Sequence, residues 1–239
     1  MRKIAVFMIV AFVAAASQAV LLMEESFENY APGPLAGTPG AEAGQVGNWT
    51  LQGTAAAWDV GPGLDGGQGL VTVGTGGDGD IYIDLATPSA GGVIWVSYEV
   101  STPRYGGHLY LSTSGGWGGA FGHGWNQTVT INNTTAPNNV PFPIDGTTLQ
   151  LVEMIDYNTN EQRVWVNPVG PTLPVGTEDV YRVEGIGTDP TRLIIRNYNN
   201  DATYDNIRIG TTAFDVIPEP STLALLGLAG LALVARKRK

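Results

Sequence analysis

Two carboxylates three residues apart, Glu153 and Asp156, sit in the apolar run from Leu149 to Tyr157. Paired carboxyl groups are the equipment of glycoside hydrolysis, one protonating the leaving oxygen while the other attacks or activates water, and both must project into one cleft. On a regular strand, residues three apart point to opposite faces, so these two cannot flank one bond without a bulge. Solvated strand and hairpin charges account for both. The chain has no Cys, which excludes a Cys nucleophile, a thiolate zinc site and disulfides. His108 and His123 stand at no spacing that makes a Ser-His-Asp relay or a metal motif. No catalytic residue is assigned, and the expectation is a protein that is not an enzyme.

Oxygen ligands are more plentiful. Asp156, Asn158 and Asn160 share one turn, and Asp201 and Asp205 precede the closing strand; both groups are candidates for Ca2+, the one cofactor considered, because hard cations take carboxylate and carbonyl oxygens. Asp205 has the parity of Ile207 and Ile209, so the alternative is that it satisfies buried backbone donors. Gly76-Gly77-Asp78-Gly79-Asp80 looks like one copy of a calcium-binding glycine-aspartate repeat, but such sites need stacked copies, and a tight turn is expected instead. The glycine-rich stretch from Gly115 to Trp125 is the candidate ligand loop. Trp117, Phe121 and Trp125 could stack on sugar rings there, with Gly allowing close backbone approach; the competing reading packs all three into the core.

The elements that must position these residues are strands. Short β-branched and aromatic runs, among them Ile81 to Ile83, Val93 to Val100, His108 to Ser112, Thr128 to Ile131, Arg163 to Val166, Val180 to Val183 and Leu193 to Arg196, alternate with turn signals. Asn158-Thr159-Asn160 is short enough to join two of them as a hairpin. In Ile94, Val96, Tyr98 and Val100 one face is continuously apolar, while Ser97 and Glu99 on the other face read as solvated. Nothing from residue 24 to 216 sustains a 3.6 period. The expected class is all-β, as two packed antiparallel sheets.

Composition agrees with a folded chain: of 239 residues 43% are hydrophobic, with six Trp and nine Tyr to bury. Charge is divided by region. Between residues 20 and 217 there are 21 Asp and Glu against six Arg and no Lys, which leaves −15. Such a surface repels phosphate backbones, so nucleic acid is excluded as a partner.

The ends have a different grammar. Arg2 and Lys3, the apolar stretch Ile4 to Ala16, and Ser17-Gln18-Ala19 have the order of a secretory signal, with cleavage by signal peptidase expected after Ala19. At the other end stand Pro218-Glu219-Pro220, the apolar run Leu223 to Ala235, and the basic stop Arg236, Lys237, Arg238 and Lys239. The prolines keep the chain extended, the run is compatible with a bilayer, and the cations hold its end on the cytoplasmic side. Thirteen residues rise only about 20 Å as a helix, which favours a temporary membrane stop over a permanent span.

This tail resembles the PEP-CTERM sorting signal of Gram-negative bacteria. The resemblance implies processing by an exosortase, transient attachment to the inner membrane, and release to a cell surface or extracellular matrix rich in polysaccharide. Between the ends, Glu25-Ser26-Phe27-Glu28-Asn29-Tyr30, the pair Leu149 to Tyr157 with Gln162 to Pro168, and Tyr204 to Gly210 are similar to concanavalin A-like and laminin-G-like jelly rolls. That resemblance implies that the first and last strands pair. The catalytic Glu-x-Asp-x-x-Glu pattern of jelly-roll glycosidases is absent.

The expected organisation is therefore a signal helix (1–19), a jelly-roll sandwich (20–215), and a sorting tail (216–239) with a transmembrane helix over 223–235 and a basic end over 236–239. Its expected role is binding extracellular polysaccharide or another polymer without catalysis. The alternatives are a purely structural matrix or adhesion protein and, behind it, a glycoside hydrolase.

Overall fold

The computed structural model describes residues 20–53, 57–73, 78–86, 92–102, 107–112, 120–123, 128–131, 135, 137–143, 146–183, 190–198 and 201–217. Both expected terminal helices lie outside these residues. Among the described residues, no helix is long and apolar enough to cross a membrane.

In chain order the elements are β1 (Leu21–Glu25), β2 (Gly33–Pro34), β3 (Gln45–Gly53), β4 (Ala57–Pro62), β5 (Gln68–Val73), β6 (Asp78–Leu85), β7 (Val93–Ser101), β8 (Gly107–Ser112), β9 (Ala120–His123), β10 (Val129–Ile131), β11 (Leu149–Asp156), β12 (Glu161–Val166), β13 (Val180–Val183), β14 (Arg192–Tyr198), β15 (Ala202–Gly210) and the short helix α1 (Ala213–Val216). They build two antiparallel sheets. One has nine strands, ordered β13-β12-β11-β7-β15-β5-β4-β2, with β1 also on β15; the other has six, ordered β10-β9-β8-β14-β6-β3.

Alternation along each strand makes the two layers. Ile94, Val96, Tyr98 and Val100 of β7 meet Leu149, Leu151 and Ile155 of β11 on the inner face of the larger sheet. Ile81, Ile83, Leu109, Leu111, Leu193 and Ile195 line the inner face of the smaller one. These residues form one core, at most 5% exposed. The expected hairpin joins β11 to β12, and the first strand pairs with the last, from Leu21 opposite Gly210 to Glu25 opposite Ile207.

β15 is central, and a bulge lets it serve two neighbours. The register against β7 shifts between Asp205 and Arg208, and Asn206 there has a φ of 50°. The first half of β15 pairs with β5 and the second half with β1 along the same edge. The bulge also corrects the parity argument for Asp205. That residue stands opposite Glu99 on the outer face, whereas Ile207 and Ile209 point into the core.

Two further expectations are overturned. Glu153 is not a solvated strand charge: it faces inward between Val96 and Val164, fully buried, with no hydrogen-bond partner on either carboxylate oxygen among the described residues. Burial pushes its carboxyl well above the usual range. Ser97 is not solvated either. It is 1% exposed because the chain after β15 folds over it.

The opening motif is a buried clamp. Glu25 accepts hydrogen bonds from the Phe27 amide (2.6 Å), the Tyr30 hydroxyl (2.9 Å) and Gln45 Nε2 (2.7 Å), and Trp49 Nε1 donates to Tyr30 at 3.0 Å. Burial outweighs those donors and raises the Glu25 carboxyl to about 8.

Candidate functional site

The outer face of the six-stranded sheet carries polar and aromatic side chains in transverse rows. β6, β14 and β8 are side by side, and their even-numbered residues share this face. One row is Asp80, Arg196 and His108; the next is Tyr82, Ile194 and Tyr110; the third is Asp84, Arg192 and Ser112. β9 and β10 extend the first row with Gly122 opposite His108 and Thr130 opposite Gly122.

The rows are locked to one another. Arg196 binds Asp80 with both ends of its fork, Nε to Oδ1 at 2.6 Å and Nη2 to Oδ2 at 2.8 Å. Arg192 Nε donates to Asp84 Oδ1 at 2.8 Å, while its guanidinium lies 3.9 Å from the centre of the Tyr82 ring. A guanidinium held by a carboxylate and stacked on an aromatic ring loses its freedom before any ligand arrives. Asp80 is buried in this array, whereas the Asp84 side chain is 49% exposed and Tyr82 is half-buried. At the far end Thr130 is fully buried, with no hydrogen-bond partner for its Oγ1 among the described residues.

Chemically, the face offers aromatic surface, guanidinium donors and carboxylate acceptors in fixed positions, which is what a polyol requires. It offers little to an anion. Arg163 is paired with Glu161 and Glu178, Arg192 with Asp84, Arg196 with Asp80, and Arg208 with Glu24, so four of the six Arg between the ends already hold carboxylates.

The sequence candidates fall elsewhere. Trp117 and Trp125 lie outside the described residues. Phe121 lies in β9, in register with Leu109 and Ile131 of the core, so part of the expected glycine-rich surface loop is a strand. Likewise Asp78 to Asp80, read as the end of a tight turn, opens β6.

Asp156 closes the hairpin: burial tends to raise its carboxyl, but the amides of Asn158 (2.9 Å) and Thr159 (3.4 Å) bring it below its ordinary value. Asn160 follows with a φ of 57°. Asp201 is exposed, and its carbonyl accepts from Thr102. Asp205 is 1% exposed; its carboxylate takes the amides of Leu64 and Asn206, the backbone role given as its alternative, and burial raises it to about 6. Among the described residues no three His, Asp or Glu converge as a metal would need.

Sequence reasoning missed the rows themselves. The signal was there, as Asp78-x-Asp80-x-Tyr82-x-Asp84 and Arg192-x-Ile194-x-Arg196 alternate strictly. Which strand stands beside which was not.

The ends of the domain meet at one place. Val20 N–H donates to Thr211 Oγ1 at 3.2 Å, and the Thr211 amide returns a bond to the Val20 carbonyl at 3.1 Å. The chain then turns through α1 onto the outer face of the nine-stranded sheet, where Val216 and Ile217 pack on Val152, Trp95 and Leu173. Residues 216–239 match the family of the PEP-CTERM protein-sorting motif. The tail is a PEP-CTERM sorting motif. A PEP-CTERM motif implies an exported protein, held transiently at the membrane and sorted by an exosortase.

No curated protein matches the chain. Among solved structures, it is similar to the catalytic domain of a glycoside hydrolase family 131 protein from Coprinopsis cinerea, with 14% identity and a TM-score of 0.56, covering 83% of this chain and 97% of that one. It is also similar to arcelin-5, a lectin-like defense protein from Phaseolus vulgaris (10% identity, TM-score 0.42, 78% of this chain and 97% of that one). Against a sialidase (10% identity, TM-score 0.49), 67% of this chain aligns and spans only 16% of the other's length. At 14% identity the likeness to the glycoside hydrolase domain is one of fold, a jelly-roll-like sandwich. It leaves catalysis undecided.

Proposed function

We propose that the PEP-CTERM protein is a surface or matrix component of a Gram-negative bacterium whose sandwich binds neutral extracellular polysaccharide without catalysis. One observation carries this reading: the outer face of the six-stranded sheet presents Tyr82, Arg192 and Asp84 as a pre-locked, partly exposed polar and aromatic surface. Sugar rings offer C–H faces to aromatics and paired hydroxyls to carboxylates and guanidinium groups, so the side chains fit the ligand class. Asp80 and Asp84 have guanidinium partners and sit four residues apart along one strand, which suits orientation of hydroxyls better than proton transfer. The reading needs no calcium, since the oxygens of Asp156 and Asp205 already serve the backbone.

Processing completes the proposal. Signal peptidase cuts after Ala19, the fold occupies the region between the ends, and exosortase removes the tail near Pro218-Glu219-Pro220, with Leu223 to Ala235 and the cluster Arg236 to Lys239 as the temporary membrane stop. Affinity electrophoresis of residues 20–217 through a panel of neutral polysaccharides tests the binding role. Tyr82→Ala and Asp84→Ala should each weaken retention about tenfold, as loss of one ring or one acceptor is worth roughly 1.4 kcal/mol. Retention unchanged in both variants, or no retention of the wild-type protein on any neutral polymer, would refute it.

A further inference from the structure

The matched motif spans residues 216–239, and its first two residues are part of the folded domain. Val216 is 0% and Ile217 3% exposed, and both pack on Val152, Trp95 and Leu173. Ser97 Oγ donates to the Val216 carbonyl at 2.6 Å, and the Ile217 amide donates to the Ala213 carbonyl at 3.0 Å. Upstream, Asp215 Oδ2 gathers the amides of Thr211 (3.0 Å) and Thr212 (2.8 Å), which fixes the turn that lays α1 on the sheet. Gly210 makes that turn feasible, because a Cβ there would collide with the Asp215 side chain.

This seat exists only in the folded protein. Ser97 belongs to β7 and stands between Val152 of β11 and Arg208 of β15, and Trp95 stands between Met154 and Gly210. Three strands far apart in sequence must assemble before Val216 and Ile217 have a surface to cover. Pro218 follows Ile217 with no linker.

An enzyme that cuts at or near Pro218-Glu219-Pro220 must bind the chain on both sides of the bond as an accessible segment. With Ile217 seated, the residues just before Pro218-Glu219-Pro220 have their side chains buried and backbone groups committed. Seat and enzyme therefore compete for the same residues, and the cutting rate scales with the fraction of molecules in which the seat is open.

We propose that the folded domain gates its own sorting, by holding Val216 and Ile217 on the Trp95–Ser97–Val152 surface and withholding the adjacent motif from exosortase until this junction lifts off. The inference rests on the reading that exosortase cuts the tail near residue 220. Nascent or loosened chains are cut quickly under this scheme, and fully folded chains slowly.

The test is a pulse-chase of the full-length chain in cells with and without exosortase, following loss of the C-terminal Lys239. Three proteins are compared: wild type, Ser97→Ala, and an insertion of six Gly and Ser residues between Ile217 and Pro218. The insertion leaves seat and sheet intact while moving the motif up to roughly 20 Å away, so it reports on the gate even if Ser97→Ala folds poorly. The insertion should shorten the precursor half-life about tenfold and Ser97→Ala several-fold, both only when exosortase is present. Equal half-lives for wild type and the insertion, with wild type still cut, would overturn the gate alone. A wild-type chain that keeps Lys239 regardless of exosortase would overturn the sorting reading and the gate with it.

Discussion

Among the described residues, three carboxylic acids are raised above their ordinary range and bear on the response to pH. Glu25 is raised to about 8 and Asp205 to about 6, and Glu153 is raised well above its usual range, in each case chiefly by burial. A carboxyl whose folded pKa is raised binds more protons folded than unfolded. Its contribution is complete below the unfolded value, 4.5 for Glu and 3.8 for Asp, and is lost as pH climbs through the folded value. Asp156 and Glu161 are lowered and act in the opposite sense, but only in the acid range below about pH 4.5. Between pH 5 and 8.5 the raised group governs, so the melting temperature should fall steadily across that window. Glu153→Gln and Glu25→Gln should each flatten the fall, since each removes one carboxyl raised by burial. Thermal melts at four pH values check this; a melting temperature that rises toward pH 8.5 would contradict it.

At the scale of elements, the ladder across β6 and β14 is one motif in two environments. The Asp80 side chain is 6% exposed and shares a bidentate contact with Arg196, whereas Asp84 is 49% exposed and holds Arg192 by one bond. Removing the charge of Asp80 takes the bidentate carboxylate away from a guanidinium that is partly out of water, a loss of about 2–4 kcal/mol. The exposed pair is worth at most about 1 kcal/mol. Urea denaturation of Asp80→Asn and Asp84→Asn should separate the two accordingly, and equal losses would mean that position in the ladder does not matter. The same comparison explains what sequence reading could reach. Alternation in β6 and β14 marks two-faced strands, but the salt bridges join residues 108 and 116 positions apart, and no local pattern announces that separation.

For the whole molecule, the net charge of −15 between residues 20 and 217 decides which polymers can approach. With most Arg engaged by carboxylates, retention on a neutral polysaccharide should be nearly independent of salt, and an anionic one should be excluded at low ionic strength and only less so at high. Stronger retention on an anionic polymer in 20 mM than in 300 mM salt would show that cationic surface has been missed. The class of fold, the β11–β12 hairpin and the PEP-CTERM tail were legible in the chain itself, because each depends on near neighbours: a period of two, a turn, or an ordered terminal segment; the pairing of first and last strands, which joins Leu21 to Gly210, was implied only by the resemblance to jelly rolls. Tertiary structure decided the rest. A bulge at Asn206 turned Asp205 to the outer face, β11 carried Glu153 into the core although its charge argued for solvent, and strand order gathered Asp80, Tyr82, Arg192 and Arg196 on one face. The seat for Val216 and Ile217 was equally hidden, since side chains from β7 and β11 meet the end of the chain only when both sheet neighbours are in place. Local chemistry sets what a segment prefers; register and strand order, paid for by the burial of the whole core, set what it touches.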